Sequence, residues 1–344
     1  MQHHRRGRSA AAVVAAAGAA LALVPATASA LNVTLTDDAG TPQAWSGQPA
    51  IRNMSPQVGI GFGPSEKGSY SATFAGPDGA GVSSPIDCYG INTSRTLDFR
   101  GNGAYTVTIQ QFPDKDYTCK TPSGAPQVYT FSINSGVTLG ALTAPVLIRE
   151  PGSYVTQPVV LPFAGNPGAL GYEIRYARNG AIGPDGAIQD TSQQTYVDPA
   201  TGQVPLRLTD PGSYVVVARA KGFSTGTGQF FSPWTPPVTV KALAPFDFST
   251  TRTVDSRGPS YKVKIQLREK SARGRVSVAV ARGKKGRKFH SLGSAKINRK
   301  GIFKKRFTLH RTGTYRMRFR FKGSATVAPG TAMSTFRVTK HYLF

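Results

Sequence analysis

The amino-acid sequence predicts an all-β protein in which three β-sandwiches follow one another after a signal peptide. Val, Thr, Tyr and Phe recur in short alternating runs, and 38 Gly and 25 Pro supply turns between them over 344 residues. No window of about 11 residues has a clear helical periodicity. A Gly-x-Tyr motif also recurs before an alternating run, at Tyr105, Tyr214 and Tyr315. Its spacings of 109 and 101 residues fit one sandwich domain for each copy.

Residues 1–30 have the pattern of an export signal. Arg5, Arg6 and Arg8 form a basic head, an apolar run follows from Ala10 to Val24, and Ala28-Ser29-Ala30 supplies small residues for cleavage. No later stretch contains the roughly 18 apolar residues that a membrane span needs. We therefore expect a mature protein that is secreted, or associated with the cell surface, without a membrane span.

The first domain is expected at residues 31–142. Its alternating runs are separated by turn residues such as Gly63-Pro64, Pro77-Asp78-Gly79 and Asn102-Gly103. The predicted strands are Asn32–Thr36, Gln57–Phe62, Ser69–Phe74, Arg95–Phe99, Tyr105–Gln110 and Gln127–Ile133.

The second and third domains are expected at residues 143–241 and 242–344, with Lys241–Ala244 as a short hinge. In the third domain, alternation should place apolar side chains on one face of each strand and basic or small side chains on the other. The predicted strands are Tyr172–Tyr176, Gln203–Leu208, Tyr214–Ala218 and Val238–Val240, then Tyr261–Leu267, Arg275–Val280, Phe303–Leu309 and Tyr315–Phe321.

The end of the third domain resembles the bacterial Ig-like repeats of secreted and surface proteins. Thr312–Val338 contains Gly-x-Tyr, an alternating strand, a Lys-Gly turn, Ala-Pro and a final alternating strand. Ser324 and Gly330 stand where those repeats carry Asp and Ser. The second domain resembles a fibronectin type III or Ig-like module, with Ser232-Pro233-Trp234 leading into its seventh strand. In such sandwiches the motif Tyr can return its hydroxyl to nearby backbone, which is called a tyrosine corner.

Cys88 and Cys119 are the two cysteines of the chain. A single disulfide is expected in an oxidising compartment, and two free or metal-binding thiols are the alternative. Closing a loop of this length would stabilise the domain by roughly 3–4 kcal/mol. Val107 stands two residues after Tyr105, where an antibody-type domain has the cysteine that links its sheets. We therefore expect the bridge to join a strand in the middle of the domain to the loop after the Tyr105 strand.

Positive charge is concentrated in the last third of the chain. Residues 241–344 contain 27 Lys and Arg against three acids, whereas residues 31–240 contain 12 against 14. This asymmetry favours an anionic partner, and a solvated basic face without a ligand is the alternative. The Ig-like resemblance implies that the Arg275 and Arg337 strands belong to the same sheet, so their outward side chains would extend the basic face of the Arg316 strand. The predicted binding residues lie on outward strand faces and around a hairpin tip: Arg275, Arg282, Lys284, Lys285, Arg287, Lys288, Arg316, Arg318, Arg320 and Arg337.

No catalytic, cofactor or metal site is predicted. No His occurs between Leu31 and Phe289, which excludes a Ser-His-Asp or Cys-His arrangement within the first two domains. The later His290, His310 and His341 lack the spacing of metal ligands. A glycosidase needs two carboxyl groups, but the candidates are scattered: Asp114, Asp116, Glu173 and Asp185.

The function expected from the sequence is therefore non-enzymatic binding and spacing outside the cell. The basic C-terminal domain would attach to an anionic polymer, namely a wall polymer, an acidic glycan or extracellular DNA. Few aromatic side chains are expected outside the core, so sequence-specific recognition of nucleic acid is not predicted. The alternative is an accessory or cryptic glycoside hydrolase with its activity in the N-terminal domain.

Overall fold

The computed structural model describes residues 31–63, 68–113, 118–148, 158–189, 194–197, 203–222, 229–254, 260–283 and 288–339. The regular secondary structure in these ranges consists of β-strands, which confirms the all-β prediction. Within them no helix is long and apolar enough to cross a membrane. Several predicted features lie outside the described residues: the signal peptide at 1–30, Asp114, Asp116, Lys284, Lys285, Arg287 and His341.

The first sandwich pairs the sheet β2-β1-β4-β7 with the sheet β3-β9-β8-β5-β6. Alternation along β8 buries Tyr105, Val107 and Ile109 completely. The strand predicted at Arg95–Phe99 lies earlier in the structure, at Thr93–Thr96, and the Asp98 N–H that follows it donates to the Val82 carbonyl. The strands are β1 (Leu31–Thr36), β2 (Pro42–Ala44), β3 (Ala50–Ile51), β4 (Gln57–Phe62), β5 (Ser69–Ala75), β6 (Ile86–Tyr89), β7 (Thr93–Thr96), β8 (Gly103–Phe112) and β9 (Gln127–Ile133).

The second sandwich pairs β10-β12-β15 with β11-β17-β16-β13-β14. Its first strand begins before the expected boundary at residue 143, because Thr138 and Leu139 pair with β12. The strands are β10 (Thr138–Leu139), β11 (Val146–Leu147), β12 (Pro158–Ala164), β13 (Gly171–Arg178), β14 (Gln194–Val197), β15 (Gln203–Arg207), β16 (Gly212–Lys221) and β17 (Val238–Leu243).

The third sandwich pairs β18-β19-β22 with β21-β20-β23-β24. Its strands are β18 (Phe248–Val254), β19 (Ser260–Leu267), β20 (Arg275–Arg282), β21 (His290–Lys296), β22 (Ile302–Thr308), β23 (Gly313–Phe321) and β24 (Gly330–Val338). All three sandwiches repeat one connectivity. The first, second and fifth main strands form one sheet, and the fourth, third, sixth and seventh form the other, with β2, β3 and β11 added at edges. This arrangement is Ig-like.

Each copy of the Gly-x-Tyr motif forms a tyrosine corner. The hydroxyl of Tyr105 donates to the Gly101 carbonyl at 2.9 Å and accepts from the Arg100 N–H at 2.8 Å. Tyr214 makes the same two bonds with Asp210, and the Tyr315 hydroxyl donates to the carbonyl of Arg311 at 2.7 Å. The acceptor always lies four residues before the Tyr, so the short repeat in the sequence corresponds to a repeated structural unit.

The first two sandwiches share one continuous hydrophobic core, whereas the third has its own. Arg52 connects the first two sandwiches, because its Nη2 donates to the carbonyls of Gly136 and Gly165 and to Oδ1 of Asn166. The Met54 N–H also donates to the Pro167 carbonyl at 2.9 Å. The third sandwich is joined through Ala244, which pairs in parallel with Val327.

The predicted disulfide is present. Cys88 on β6 is bonded to Cys119 in the loop between β8 and β9, with the two Cα atoms 5.6 Å apart. β6 and β8 belong to the same sheet. The bridge therefore ties the edge of that sheet to its own loop and does not link the two sheets, as the sequence predicted.

Candidate anion-binding surface

The outward face of the sheet β21-β20-β23-β24 carries a row of arginines. On the central strand β23, Tyr315, Met317, Phe319 and Phe321 are buried. Arg316, Arg318 and Arg320 alternate with them and therefore point away from the core. We call these three residues the arginine row. Since residues on one face of a strand recur about every 6.7 Å, the three arginine side chains leave the strand at even intervals.

The strands beside the arginine row present small or uncharged side chains to it. On β20, Ser277, Ala279 and Ala281 lie opposite Arg320, Arg318 and Arg316. On β24, Thr331, Met333 and Thr335 lie opposite the same three arginines. Because these neighbours are short on the β20 side, the surface is concave there. A cavity of about 730 Å³ opens along it, lined by Phe289, Ser291, Arg318, Arg320, Lys322 and Thr331.

Phe289 is an aromatic residue of this surface that the sequence analysis missed. Its ring lies 4.5 Å from the guanidinium carbon of Arg318 and 5.4 Å from that of Arg316. Such cation–π contacts orient a guanidinium over an aromatic face. Alternation along the strand could have predicted its position, since Phe289 precedes the outward Ser291 by two residues and should share its face.

Three further cations extend the row. Arg275 is exposed on β20, and its Nε donates to Ser294 Oγ at 2.9 Å. Lys296, which the sequence analysis did not select, lies directly opposite Arg275. Arg337 on β24 is exposed and lies opposite Thr314. The sheet therefore brings together Arg275, Arg316, Arg318, Arg320 and Arg337, which are far apart in sequence.

Arg282, another predicted binding residue, does not join this face. Arg282 lies opposite the corner residue Tyr315, and its Nε donates to the carbonyl of Thr312 at 2.9 Å. Arg282 therefore supports the turn before β23 and has a structural role there. Lys288 is exposed next to Phe289. Lys284, Lys285 and Arg287 lie outside the described residues.

The carboxylates described in the C-terminal third are engaged away from the arginine row. Asp247 Oδ2 lies 2.7 Å from Arg268 Nε. Glu269 Oε1 accepts a hydrogen bond from the Ser271 N–H at 2.9 Å. Among the described residues of the face itself there is no acid to neutralise the row. Like charges at this density repel one another, and a bound anion would relieve that repulsion.

The described carboxylates considered for catalysis have structural partners. Glu173 is only 3% exposed, and its two oxygens lie 2.8 Å from Nη2 of Arg175 and 2.6 Å from Nη2 of Arg219. The Arg219 guanidinium stacks on Phe231 at 3.8 Å and on Trp234 at 4.3 Å. This ladder of alternating arginines and aromatic rings stabilises one face of the second sandwich. Asp185 accepts a hydrogen bond from the Ala187 N–H within a turn.

Comparisons with known proteins add little about function. No protein-family model matches the chain, and no curated protein matches it in sequence. Among solved structures, the chain is similar to the FN1–FN3 domains of chicken CNTN1, at 11% identity and a TM-score of 0.24, over 86% of this chain and 100% of that one. It is also similar to a tetra-tandem repeat from the extending region of a large adhesion protein, at 10% identity and a TM-score of 0.34, over 90% and 91%. The fold assignment therefore depends on the strand pairing and the tyrosine corners.

Proposed function

We propose that this is a secreted or surface-associated, non-enzymatic attachment and spacer protein whose C-terminal sandwich binds a linear polyanion. One observation carries the proposal: the arginine row lies along the middle of an outward sheet face that has no acid among its described residues. Like charges this close together repel one another, so the row does not stabilise the fold by itself. A bound anionic ligand would neutralise the row and relieve this repulsion.

The chemistry of the row favours a flexible chain that carries phosphate or carboxylate groups. Arginine presents a planar fork that binds either group with two parallel hydrogen bonds. A repeat of about 6.7 Å between row members suits a polymer with one negative charge per short repeating unit. Duplex DNA offers a rigid rod to a twisted sheet, so fewer of its phosphates could meet the row at once. Wall polymers and acidic glycans share the favoured chemistry.

The rest of the chain supports a spacer role. The first two sandwiches are joined through a shared core and the hydrogen bonds of Arg52. They would therefore hold their loops at a fixed distance from the attached end. The third sandwich is linked to them through the short connection at Ala244. We propose that the basic domain attaches and that the first two domains present binding loops outward.

The test is binding of the full mature protein to three immobilised probes while salt is raised. The probes are polyglycerol phosphate for a wall polymer, polygalacturonate for an acidic glycan, and duplex DNA. The variant carries Arg316→Gln, Arg318→Gln and Arg320→Gln. Its matched control removes three exposed cations from turns of the same sandwich: Lys270→Gln, Arg299→Gln and Lys300→Gln.

We expect the row variant to bind at least about 10-fold more weakly than the control, because it loses three direct anion contacts. The slope of log affinity against log salt should fall by about 2, as expected for three lost contacts with a flexible polyanion. Equal losses in the row variant and the control would show that only net charge matters, and would contradict the proposal. Stronger binding to DNA than to both flexible polymers would assign a different class of partner.

A further inference from the structure

The opposite sheet of the C-terminal sandwich carries a second basic face. On β19, Tyr261, Val263 and Ile265 are buried, and Lys262 and Lys264 alternate with them on the outward side. On β22, Lys304 and Arg306 are exposed and lie between the buried Phe303 and Phe307. The sequence analysis assigned no function to these four cations. We call them the second basic face.

Strand register brings these cations into facing pairs. Lys264 lies directly opposite Lys304, and Lys262 lies directly opposite Arg306. Directly opposed residues of an antiparallel pair have Cβ atoms about 4.5–5.5 Å apart, so like charges in this position destabilise the sheet. One such pair also occurs on the face that carries the arginine row, where Arg275 lies opposite Lys296.

The two basic faces point in opposite directions. β19 and β22 belong to one sheet, and β20 and β23 belong to the other. Packed sheets lie about 10 Å apart with their outward side chains directed away from each other. A polymer lying along the arginine row therefore cannot also lie along the second basic face, unless it bends around an edge of the sandwich.

One edge does carry a cation. Lys305 has the same parity as Phe303 and Phe307 and is half-buried, and its ammonium approaches Gly293 on β21. A single polymer chain that wrapped this edge would meet both faces. If one polymer chain wraps around the edge, each protein holds one chain. If separate chains occupy the two faces, each protein holds two.

We propose that the second basic face binds a second, separate polyanion chain, so that one C-terminal sandwich bridges two polymer chains. This inference rests on the proposed function, since it presupposes attachment through the arginine row. It assigns the domain the role of a cross-link between anionic polymers in addition to that of an anchor. The partner is again a linear chain with phosphate or carboxylate groups, because lysine and arginine heads on a flat face bind such groups without sequence readout.

The test is a two-step capture with inorganic polyphosphate as the probe. Biotinylated polyphosphate is immobilised and loaded with full mature protein, and fluorescent polyphosphate is then added after a wash. The second-face variant carries Lys262→Gln, Lys264→Gln and Lys304→Gln. The control is again Lys270→Gln, Arg299→Gln and Lys300→Gln, which removes the same charge. Circular dichroism and melting curves check that each variant is folded.

We expect the wild type and the control to capture the fluorescent polymer. The second-face variant should bind the immobilised polyphosphate within about 3-fold of the control. Its capture of the fluorescent polyphosphate should be at least about 10-fold lower than that of the control. Wild type that loads without second capture would overturn the bridging proposal and leave the attachment function standing. Wild type that fails to load would overturn both. Second capture by the second-face variant equal to that of the control would also overturn bridging, because a dimer or a nonspecific charge effect would then explain it.

Discussion

The tyrosine corner of the first sandwich offers a stability test with a definite size and sign. In Tyr105→Phe, the Gly101 carbonyl loses its donor and the Arg100 N–H loses its acceptor, while the stacking of the ring on Phe131 is retained. Leaving buried polar groups without partners costs about 1–3 kcal/mol. We expect a loss near 2 kcal/mol at pH 7. Tyr315→Phe, which removes the bond to Arg311, should cost less, about 1 kcal/mol.

The same residue also predicts a pH dependence. Burial raises the pKa of the Tyr105 phenol from 10.0 to about 12. Because the pKa is higher in the folded state, the stabilisation is complete below pH 10 and is lost as pH rises through about 12. At pH 11 the unfolded tyrosine is ionised and the folded one is not, which lowers the free energy of unfolding by about 1.4 kcal/mol. Phenylalanine has no such titration, so the gap between wild type and Tyr105→Phe should narrow by that amount.

The assay is denaturant unfolding at pH 7 and pH 11, followed by the fluorescence of Trp45. Trp45 packs against Phe131, which stacks on Tyr105, so its emission reports this core. Trp234→Phe in both proteins removes the other tryptophan signal. Ionisation of the other buried tyrosines changes the free energy of unfolding equally in both proteins, so it cancels in the difference. A gap that stays constant or widens from pH 7 to pH 11 would refute the argument, and so would a loss at pH 7 below about 0.5 kcal/mol.

Two further predictions concern the second sandwich. Glu173→Gln leaves Arg175 and Arg219 without their shared carboxylate. The free energy of unfolding should fall by about 2–3 kcal/mol, which is less than for a fully buried ion pair because both guanidinium groups are partly exposed. Denaturant unfolding followed by Trp234 fluorescence checks this, and a loss no larger than that of Glu269→Gln would contradict it. Gly168→Ala should cost more than about 2 kcal/mol, because Gly168 has φ +68° and a Cβ there would overlap Asn53 Oδ1 and lie 2.7 Å from the Ser55 nitrogen. Gly171→Ala is the matched control, since nothing lies within 4 Å of its Cβ position. Equal melting temperatures for the two variants would show that the contact of Gly168 with Asn53 and Ser55 is not tightly packed.

Prediction from sequence succeeded where the pattern was local. Strands such as β4, β8 and β23 agree closely with the predicted runs, because alternation determines which side chains are buried. Short strands such as β3 and β11 were not predicted. Each is two residues long and pairs in parallel with a strand distant in sequence, so its own residues carry too little signal. The division into three independent domains remains a prediction, since the first two sandwiches share a core.

For the candidate surface, the amino-acid pattern alone predicted that Arg316, Arg318 and Arg320 share the outward face of one strand, because side chains alternate with a period of two. The Ig-like resemblance added that the Arg275 and Arg337 strands belong to the same sheet, which the pairing of β20 and β24 with β23 confirms. Hydrogen bonding between distant strands placed Phe289 over Arg318, gave Arg282 a role in the turn at Thr312, and set Lys264 opposite Lys304. The sequence of this chain thus determined its β-structure, its corners and its excess of positive charge. The arrangement of the charge on two opposed faces depends on the folded sheets, because strand register is fixed by contacts between residues that are far apart in the chain.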